Sequence, residues 1–165
     1  MRRVLKGMFA LFTFAIFSGI PFAFSALESF SIAPANAVPG DPMILVATAT
    51  SPTPPVTNSS TMRIPMSGTV TDITIDWGDG TVEGPYNATY EAVHTYASPG
   101  TYTITVSGTK LTKFGNYCRS TPALTAVQSW GDLGITDLSN AFCNAKNLTQ
   151  LPSTLPSTVT KLEAM

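Results

Sequence analysis

Two short segments constrain the fold of this chain more than any other feature: DWGDGT at 76–81 and HTYASPGTYTITV at 94–106. Their large apolar residues, with those just before the first segment, fall at every second position: Ile73, Ile75, Trp77, Tyr102, Ile104 and Val106. A period of two predicts two β-strands, each with one buried face. Gly78-Asp79-Gly80 tolerates positive φ and Pro99-Gly100 favours a reversal, so turns bound both strands.

The combination of these two segments resembles the PKD (polycystic kidney disease) domain, an Ig-like β-sandwich of extracellular proteins. The resemblance covers residues 38–108, and the residues that carry it are Trp77, Gly78, Asp79, Gly80, His94, Tyr96, Gly100 and Tyr102. Further strands are predicted at 43–50 and 62–66, and shorter ones near 81–83 and 90–93. Pro65 cannot donate a backbone hydrogen bond, which predicts an edge position for its strand. The sequence thus predicts a mainly β protein.

The remainder of the chain, residues 109–165, repeats itself with a period of 24. LTKF at 111–114 recurs as ITDL at 135–138 and as VTKL at 159–162, while LTAV at 124–127 recurs as LTQL at 148–151. A period of about 20 to 29 residues is typical of leucine-rich repeats, which stack because one coil alone cannot bury its apolar face. We therefore expect the start of a solenoid here, and a sandwich over 38–108 with its own core.

Two segments of these repeats, NAFC at 140–143 and LTQLP at 148–152, resemble the BspA-type (Treponema-type) leucine-rich repeats of bacterial surface antigens. The resemblance implies a bacterial cell-surface protein. A third repeat would continue past Met165, and no polar cap follows it, so we expect a short, truncated solenoid and a chain that is a fragment.

The first 37 residues have the layout of a secretory signal. Basic residues Arg2, Arg3 and Lys6 precede an apolar run, and Ala-Asn-Ala at 35–37 predicts cleavage between Ala37 and Val38. The alternative is an uncleaved membrane anchor, because about 20 apolar residues suffice to cross a bilayer. We expect a secreted or cell-surface protein, which would contact a membrane only through this segment and only if the segment is not cleaved.

The charge of residues 38–165 excludes one class of partner. This part holds six basic and nine acidic residues, a formal charge of −3. Binding to nucleic acid needs a basic surface, so nucleic acid is not expected as a partner.

Few residues offer chemistry, and we expect neither an enzyme nor a cofactor. His94 is the sole histidine, which excludes a multi-histidine zinc site, and no nucleophile motif accompanies it. Asp76 and Asp79 form a close carboxylate pair but fall short of the six to eight oxygen ligands of calcium. The alternation places Trp77 in the core, whereas Trp130 is left open between the core and an exposed recognition surface.

The two cysteines, Cys118 and Cys143, are separated by one position more than the repeat period, and hence lie on successive coils. Neighbouring coils approach the Cα spacing of a disulfide, and export would permit oxidation. The alternative is a pair of buried thiols.

Two functions remain from the sequence. The first is a non-enzymatic adhesion or protein-binding role, in which repeats present a face to an extracellular protein, matrix or polysaccharide ligand and the PKD-like module is a spacer or ligand-binding domain. The alternative is an accessory region that attaches a secreted hydrolase to its substrate.

Overall fold

The computed structural model describes residues 40–50, 60–88, 91–115 and 122–164. Within these ranges the protein is mainly β and contains no α-helix, so no helix long and apolar enough to cross a membrane is found there. The strands are β1 (Met43–Ala49), β2 (Thr61–Thr71), β3 (Ile73–Asp76), β4 (Val82–Tyr86), β5 (Glu91–Thr95), β6 (Gly100–Ser107), β7 (Lys110–Phe114) and β8 (Leu124–Ser129). The predicted cleavage site at Ala37 and Val38 lies outside the described residues.

The strands bury alternate residues, as the alternation of apolar residues in the sequence predicts. Every second residue of β1 is buried, starting at Met43, and in β6 the buried residues are Ile104 and Val106. In β3, Ile73 and Ile75 are fully buried. The strand predictions at both signature segments are confirmed.

The strands form two antiparallel sheets with one hydrophobic cluster in common. The five-stranded sheet has the order β4-β3-β6-β1-β8, and the three-stranded sheet has the order β5-β2-β7. Fully buried residues of both sheets meet in the cluster, among them Leu45, Met62, Ile64, Met66, Ile75 and Ile104. This arrangement is consistent with an Ig-like sandwich.

The prediction of an edge position for Pro65 is wrong, because β2 is the central strand of its sheet. β2 changes partner at this residue: Pro65 is the last to face β5, and Met66 is the first to face β7. The Pro65 carbonyl accepts the backbone N–H of Gly115, just beyond β7. The nitrogen of Pro65 faces the same side as its carbonyl, towards Gly115, and the Gly115 carbonyl on that side accepts the Ser67 hydroxyl at 3.0 Å.

Both sheets continue past residue 108. β7 pairs with β2, and β8 pairs with β1 on the side opposite β6. The described residues, from 40 to 164, belong to one compact unit by their contacts. The predicted boundary at 108 thus does not coincide with an edge of either sheet, because strands on both sides of it share one hydrogen-bonded ladder.

Segments that are one repeat period apart lie side by side in parallel. Isolated bridges join Lys113 to Asp137, Asp137 to Lys161, and Ala126 to Gln150. We call the successive units coil 1 (109–132), coil 2 (133–156) and coil 3 (157–164). The sequence period of 24 is therefore also a spatial repeat. Coil 2 adds one strand-like segment beside β7 and another beside β8, and coil 3 adds a further segment to the ladder that starts at β7.

Threonine hydroxyls support this stacking. The Thr136 backbone N–H and its Oγ1 both donate to the carbonyl of Thr112, in the same position of the previous coil, at 2.9 and 3.1 Å. Thr160 repeats the same pair of bonds to the Thr136 carbonyl. Each threonine thus ties its coil to the previous one twice, which gives the recurrent LT, IT and VT dipeptides a physical reason.

Candidate functional site

The side chains that carry the sequence signature meet in one place, which we call the signature cluster: Trp77, Asp79, His94, Tyr96 and Tyr102. The His94 ring stacks on Trp77 with centroids 4.9 Å apart and meets Tyr96 edge-on at 4.8 Å. Tyr96 stacks on Tyr102 at 4.0 Å and donates its hydroxyl to the Trp77 carbonyl at 2.9 Å. Because β5 and β6 lie in different sheets, the cluster links the two sheets at one end of the sandwich.

The turn that holds Asp79 is stabilised by hydrogen bonds from its backbone amides to two carboxylates, those of Asp76 and Asp79. Asp76 Oδ1 accepts the N–H of Gly78 at 2.9 Å, and Asp79 Oδ1 accepts the N–H of Thr81 at 3.0 Å. Gly78 and Gly80 have φ of +80° and +93°, as the sequence predicts for this corner. A Cβ on Gly78 would also collide with the Thr103 carbonyl oxygen. The turn therefore needs glycine for both conformation and close approach.

The two carboxylates do not assemble a calcium site in the part of the chain that the structure describes. No group of three or more His, Cys, Asp or Glu side chains able to hold a metal occurs there. Asp76 and Asp79 instead use an oxygen each on the backbone of the turn, and Asp79 uses its second oxygen on His94. Among the described residues, no third carboxylate, histidine or cysteine joins Asp76 and Asp79, so the pair remains short of the ligands that calcium needs, as the sequence predicts.

Asp79 and His94 form a close polar pair. Asp79 Oδ2 lies 2.8 Å from His94 Nε2, and the two side chains are 21% and 11% exposed. Burial raises the pKa of Asp79, but the hydrogen bonds from His94 and from Thr81 outweigh it, so the pKa lies below its ordinary value. Burial, and next the charge of Asp79, raise the pKa of the Tyr96 hydroxyl. The site thus favours a carboxylate at Asp79 and a neutral phenol at Tyr96.

His94 is paired with the Asp79 carboxylate, as a catalytic histidine would be, but among the described residues it has no side-chain nucleophile to activate. No serine, threonine or cysteine side chain hydrogen-bonds His94 among the described residues. Trp77 is completely buried beneath it. The signature cluster therefore has the geometry of a packing and hydrogen-bonding centre, in agreement with the structural role expected for His94 and Trp77.

Trp130 belongs to the core, so its alternative as part of an exposed recognition surface is wrong. It is 5% exposed and packs against Phe142 with ring centroids 6.0 Å apart. Phe142 also lies 6.0 Å from Phe114. The indole is covered because coil 2 folds over the end of β8, a contact between residues that local alternation does not reveal.

Cys143 lies in the turn of coil 2 and is disulfide-bonded. Cys118 lies outside the described residues, so its pairing with Cys143 stays a prediction.

Two polar contacts escaped sequence analysis for different reasons. Asp79 lies in the turn between β3 and β4 whereas His94 lies in β5, and no local pattern joins them. Lys113 Nζ lies 3.3 Å from Asp137 Oδ2. This second pair could have been predicted, because the repeat alignment puts the two residues in the same position of successive coils. Burial raises the pKa of Asp137, but hydrogen bonds from Ser139 and Lys113 bring it below its ordinary value.

A two-sheet sandwich closed at one end by this cluster defines an Ig-like β module. The model of the PKD domain family matches residues 44–110, which confirms the resemblance of this segment. Comparisons with curated proteins and with solved structures found no match to the chain. The family match covers the segment from β1 to β6, and the leucine-rich repeats remain a prediction.

Proposed function

We propose that this protein is a non-enzymatic secreted or cell-surface protein, in which stacked leucine-rich coils bind an extracellular protein or matrix component and the PKD-type sandwich is their base. The observation that carries the proposal is the pair of parallel ladders offset by one repeat period, one beside β7 and one beside β8. Solenoids built in this way bind through extended faces made by repetition.

The outer faces of the coils are polar and accessible. Solvent-exposed side chains of the two ladders are Thr136, Thr149, Gln150, Thr160 and Lys161. Thr136, Thr160 and Lys161 lie on the ladder beside β7, and Thr149 and Gln150 lie on the ladder beside β8. The threonine hydroxyls donate to carbonyls of the previous coil, so the side-chain donors that these ladders offer to an extended polypeptide partner come from Gln150 and Lys161.

A protein ligand fits these surfaces better than a polysaccharide. Sugar rings bind by stacking on exposed aromatic faces, yet Trp77 and Trp130 are buried. The exposed large hydrophobic residues of the described ranges are aliphatic: Val82, Val93, Leu151, Leu155 and Leu162. In the described ranges no exposed aromatic platform supports the polysaccharide attachment that the accessory-hydrolase alternative includes.

Binding to immobilised probes tests the proposal. The exported chain is applied to collagen, fibronectin and laminin, and to cellulose and chitin. Gln150→Lys alters the ladder beside β8, Lys161→Glu alters the ladder beside β7, and Val82→Glu on β4 is the matched surface control. We expect saturable binding to a protein probe that one of the two ladder variants abolishes and the control retains.

Other outcomes of the same assay count against the proposal. Binding to cellulose or chitin that neither ladder variant changes would favour the hydrolase-accessory alternative. Binding to no probe, or equal loss in the Val82→Glu control, would leave the coil faces without a ligand-binding role.

Export is tested separately by N-terminal sequencing of protein recovered outside the cell. We expect the sequence to begin at Val38. Uncleaved chain found entirely in the membrane fraction would support the anchor alternative.

A further inference from the structure

The chain holds one Asp-Gly dipeptide and no Asn-Gly, and the Asp-Gly lies in the signature cluster. Asp79 precedes Gly80 in the turn between β3 and β4, where Gly80 is exposed. A glycine leaves its amide nitrogen open to attack, because it has no Cβ to shield it. Among the described residues, nothing beyond its chain neighbours lies within 4 Å of the place where that Cβ would stand. The Asp79 carboxyl group is therefore next to an unshielded backbone amide.

This neighbourhood permits a rearrangement of the main chain that needs only water. The Gly80 nitrogen attacks Cγ of the protonated Asp79 carboxyl group. The new N–Cγ bond forms, a Cγ–O bond breaks, and the hydroxyl leaves as water with the amide proton. Water then opens the resulting succinimide ring at either carbonyl. Opening at Cγ restores aspartate, and opening at the former peptide carbonyl gives isoaspartate, in which the main chain runs through Cβ.

Hydrogen bonds occupy both oxygens that this reaction would have to release. Asp79 Oδ1 accepts the Thr81 amide at 3.0 Å, and Oδ2 lies 2.8 Å from His94 Nε2. An ionised carboxylate only accepts hydrogen bonds, so Nε2 is the donor of the second contact. Although burial raises the pKa of Asp79, the bonds from His94 and Thr81 bring it below its ordinary value. Ring closure therefore has to break one of these bonds and protonate the oxygen that leaves.

The two donors differ in how firmly the fold holds them. The Thr81 amide belongs to the turn and moves with it, whereas His94 belongs to β5, in the other sheet. The His94 ring stacks on Trp77 at 4.9 Å and meets Tyr96 edge-on at 4.8 Å, and its side chain is only 11% exposed. His94 is thus the fixed point to which the Asp79 carboxylate is tied.

We propose that the Asp79–Gly80 bond is a covalent modification site, at which aspartate converts to isoaspartate through the succinimide, and that the contact with His94 restrains this conversion in the folded protein. The proposal rests on the dipeptide, on the open amide and on the two hydrogen bonds to the carboxylate. It goes beyond the proposed function and is independent of what the coils bind.

Conversion would disrupt the signature cluster. Isoaspartate adds one atom to the main chain of the turn and moves the carboxylate to a different carbon. The turn has little room for either change: the Trp77 amide donates to the Thr81 carbonyl at 2.9 Å across it, and a Cβ on Gly78 would collide with the Thr103 carbonyl. The contact with β5 would be lost, so we expect the modified protein to unfold at lower urea than the unmodified one.

Two variants of His94 separate the hydrogen bond from the packing. His94→Phe keeps a ring against Trp77 and removes the donor, whereas His94→Gln keeps an N–H donor and removes the ring. Thr95→Val is the matched control, because Thr95 is the exposed neighbour on β5 and its hydroxyl contacts Thr61. Far-UV circular dichroism establishes that each variant retains its strands.

The full chain and its variants are incubated at neutral pH, in native buffer and in urea. Isoaspartate is counted by labelled methyl transfer with an isoaspartyl methyltransferase and assigned to Asp79 by peptide mapping. We expect the unaltered chain to convert slower in native buffer than in urea by at least about tenfold. In native buffer His94→Phe should raise the rate about tenfold, the factor that a hydrogen bond to a charged group supplies, while His94→Gln and Thr95→Val stay near the rate of the unaltered chain.

Three results would overturn the proposal. Absence of isoaspartate at Asp79 in urea would mean that the bond is unreactive, and equal rates in native buffer and urea would mean that the fold does not restrain it. A folded His94→Phe variant at the unaltered rate, or a folded His94→Gln variant at the urea rate, would assign the restraint to packing instead of the hydrogen bond. The comparison of native buffer with urea uses the unaltered chain, so it decides even where a variant loses its strands.

Discussion

Replacing Leu138 with alanine is the perturbation that tests coil stacking most directly. Leu138 is fully buried, and the ladder places its segment between those of its counterparts Phe114 and Leu162. Leu162→Ala is the matched control, because it makes the same chemical change at the same position of the repeat where the side chain is 47% exposed. The two variants differ only in whether another coil covers them.

The expected magnitudes follow from burial. Truncating a buried leucine to alanine costs about 2–5 kcal/mol, from lost transfer free energy and from the cavity left behind. We expect about 3 kcal/mol for Leu138, since neighbours on both sides hold the cavity open. Leu162 has about half its burial to lose and stands at an edge that can relax, so we expect about 1 kcal/mol or less.

Urea unfolding measures both values. Far-UV circular dichroism follows the strands, and fluorescence follows Trp77 in the sandwich and Trp130 in coil 1. With a urea dependence of about 1–3 kcal/mol per molar, Leu138→Ala should lower the midpoint by about 1–3 M. A loss under about 1 kcal/mol for Leu138, or equal losses for the two variants, would refute the stacked-coil packing.

Three further predictions concern the sandwich. Trp77→Ala should cost about 3–5 kcal/mol, since the side chain is fully buried, and a urea midpoint shift worth less than about 1 kcal/mol would contradict its core role. The pKa of Asp79 is lower in the fold than its ordinary value of 3.8, so its charge stabilises above about pH 4, and that contribution disappears as pH falls through the folded value. Asp79→Asn should therefore flatten the acid limb of midpoint against pH, and an unchanged limb would exclude this linkage. A chain of residues 38–108 should aggregate or unfold because β1 and β2 lose their partners β8 and β7, whereas a soluble monomer with two-state unfolding would restore the boundary predicted at 108.

Local patterns explain how much of the sandwich was predictable. Alternation identified the buried face of β3 and β6, because a strand exposes successive side chains to opposite faces. Gly78 and Gly80 identified the turn because few other residues accept its φ. The contact of Asp79 with His94 was not predictable in the same way, since it depends on which strands become neighbours.

The repeat shows a different limit. A period of 24 predicted that Lys113, Asp137 and Lys161 occupy equivalent positions, and the parallel bridges join them in that order. The period carried no information about the side of coil 1 that faces away from coil 2. The edge prediction for Pro65 was wrong for a related reason. The sequence shows that this residue lacks an N–H donor, but it does not show towards which neighbouring strand that donor would have pointed.

Coil 1 is part of both the sandwich sheets and the repeat stack, so the boundary predicted at 108 from the change of sequence pattern separates strands that pair with one another. Its strands β7 and β8 complete the sandwich sheets on one side, and their opposite sides carry coil 2. A change of sequence pattern marks where the repeat begins, but packing separates only where few contacts cross. Since hydrogen bonds cross residue 108 in both sheets, the sandwich and the first coil should gain or lose their structure together, and the coils farther out should depend on both.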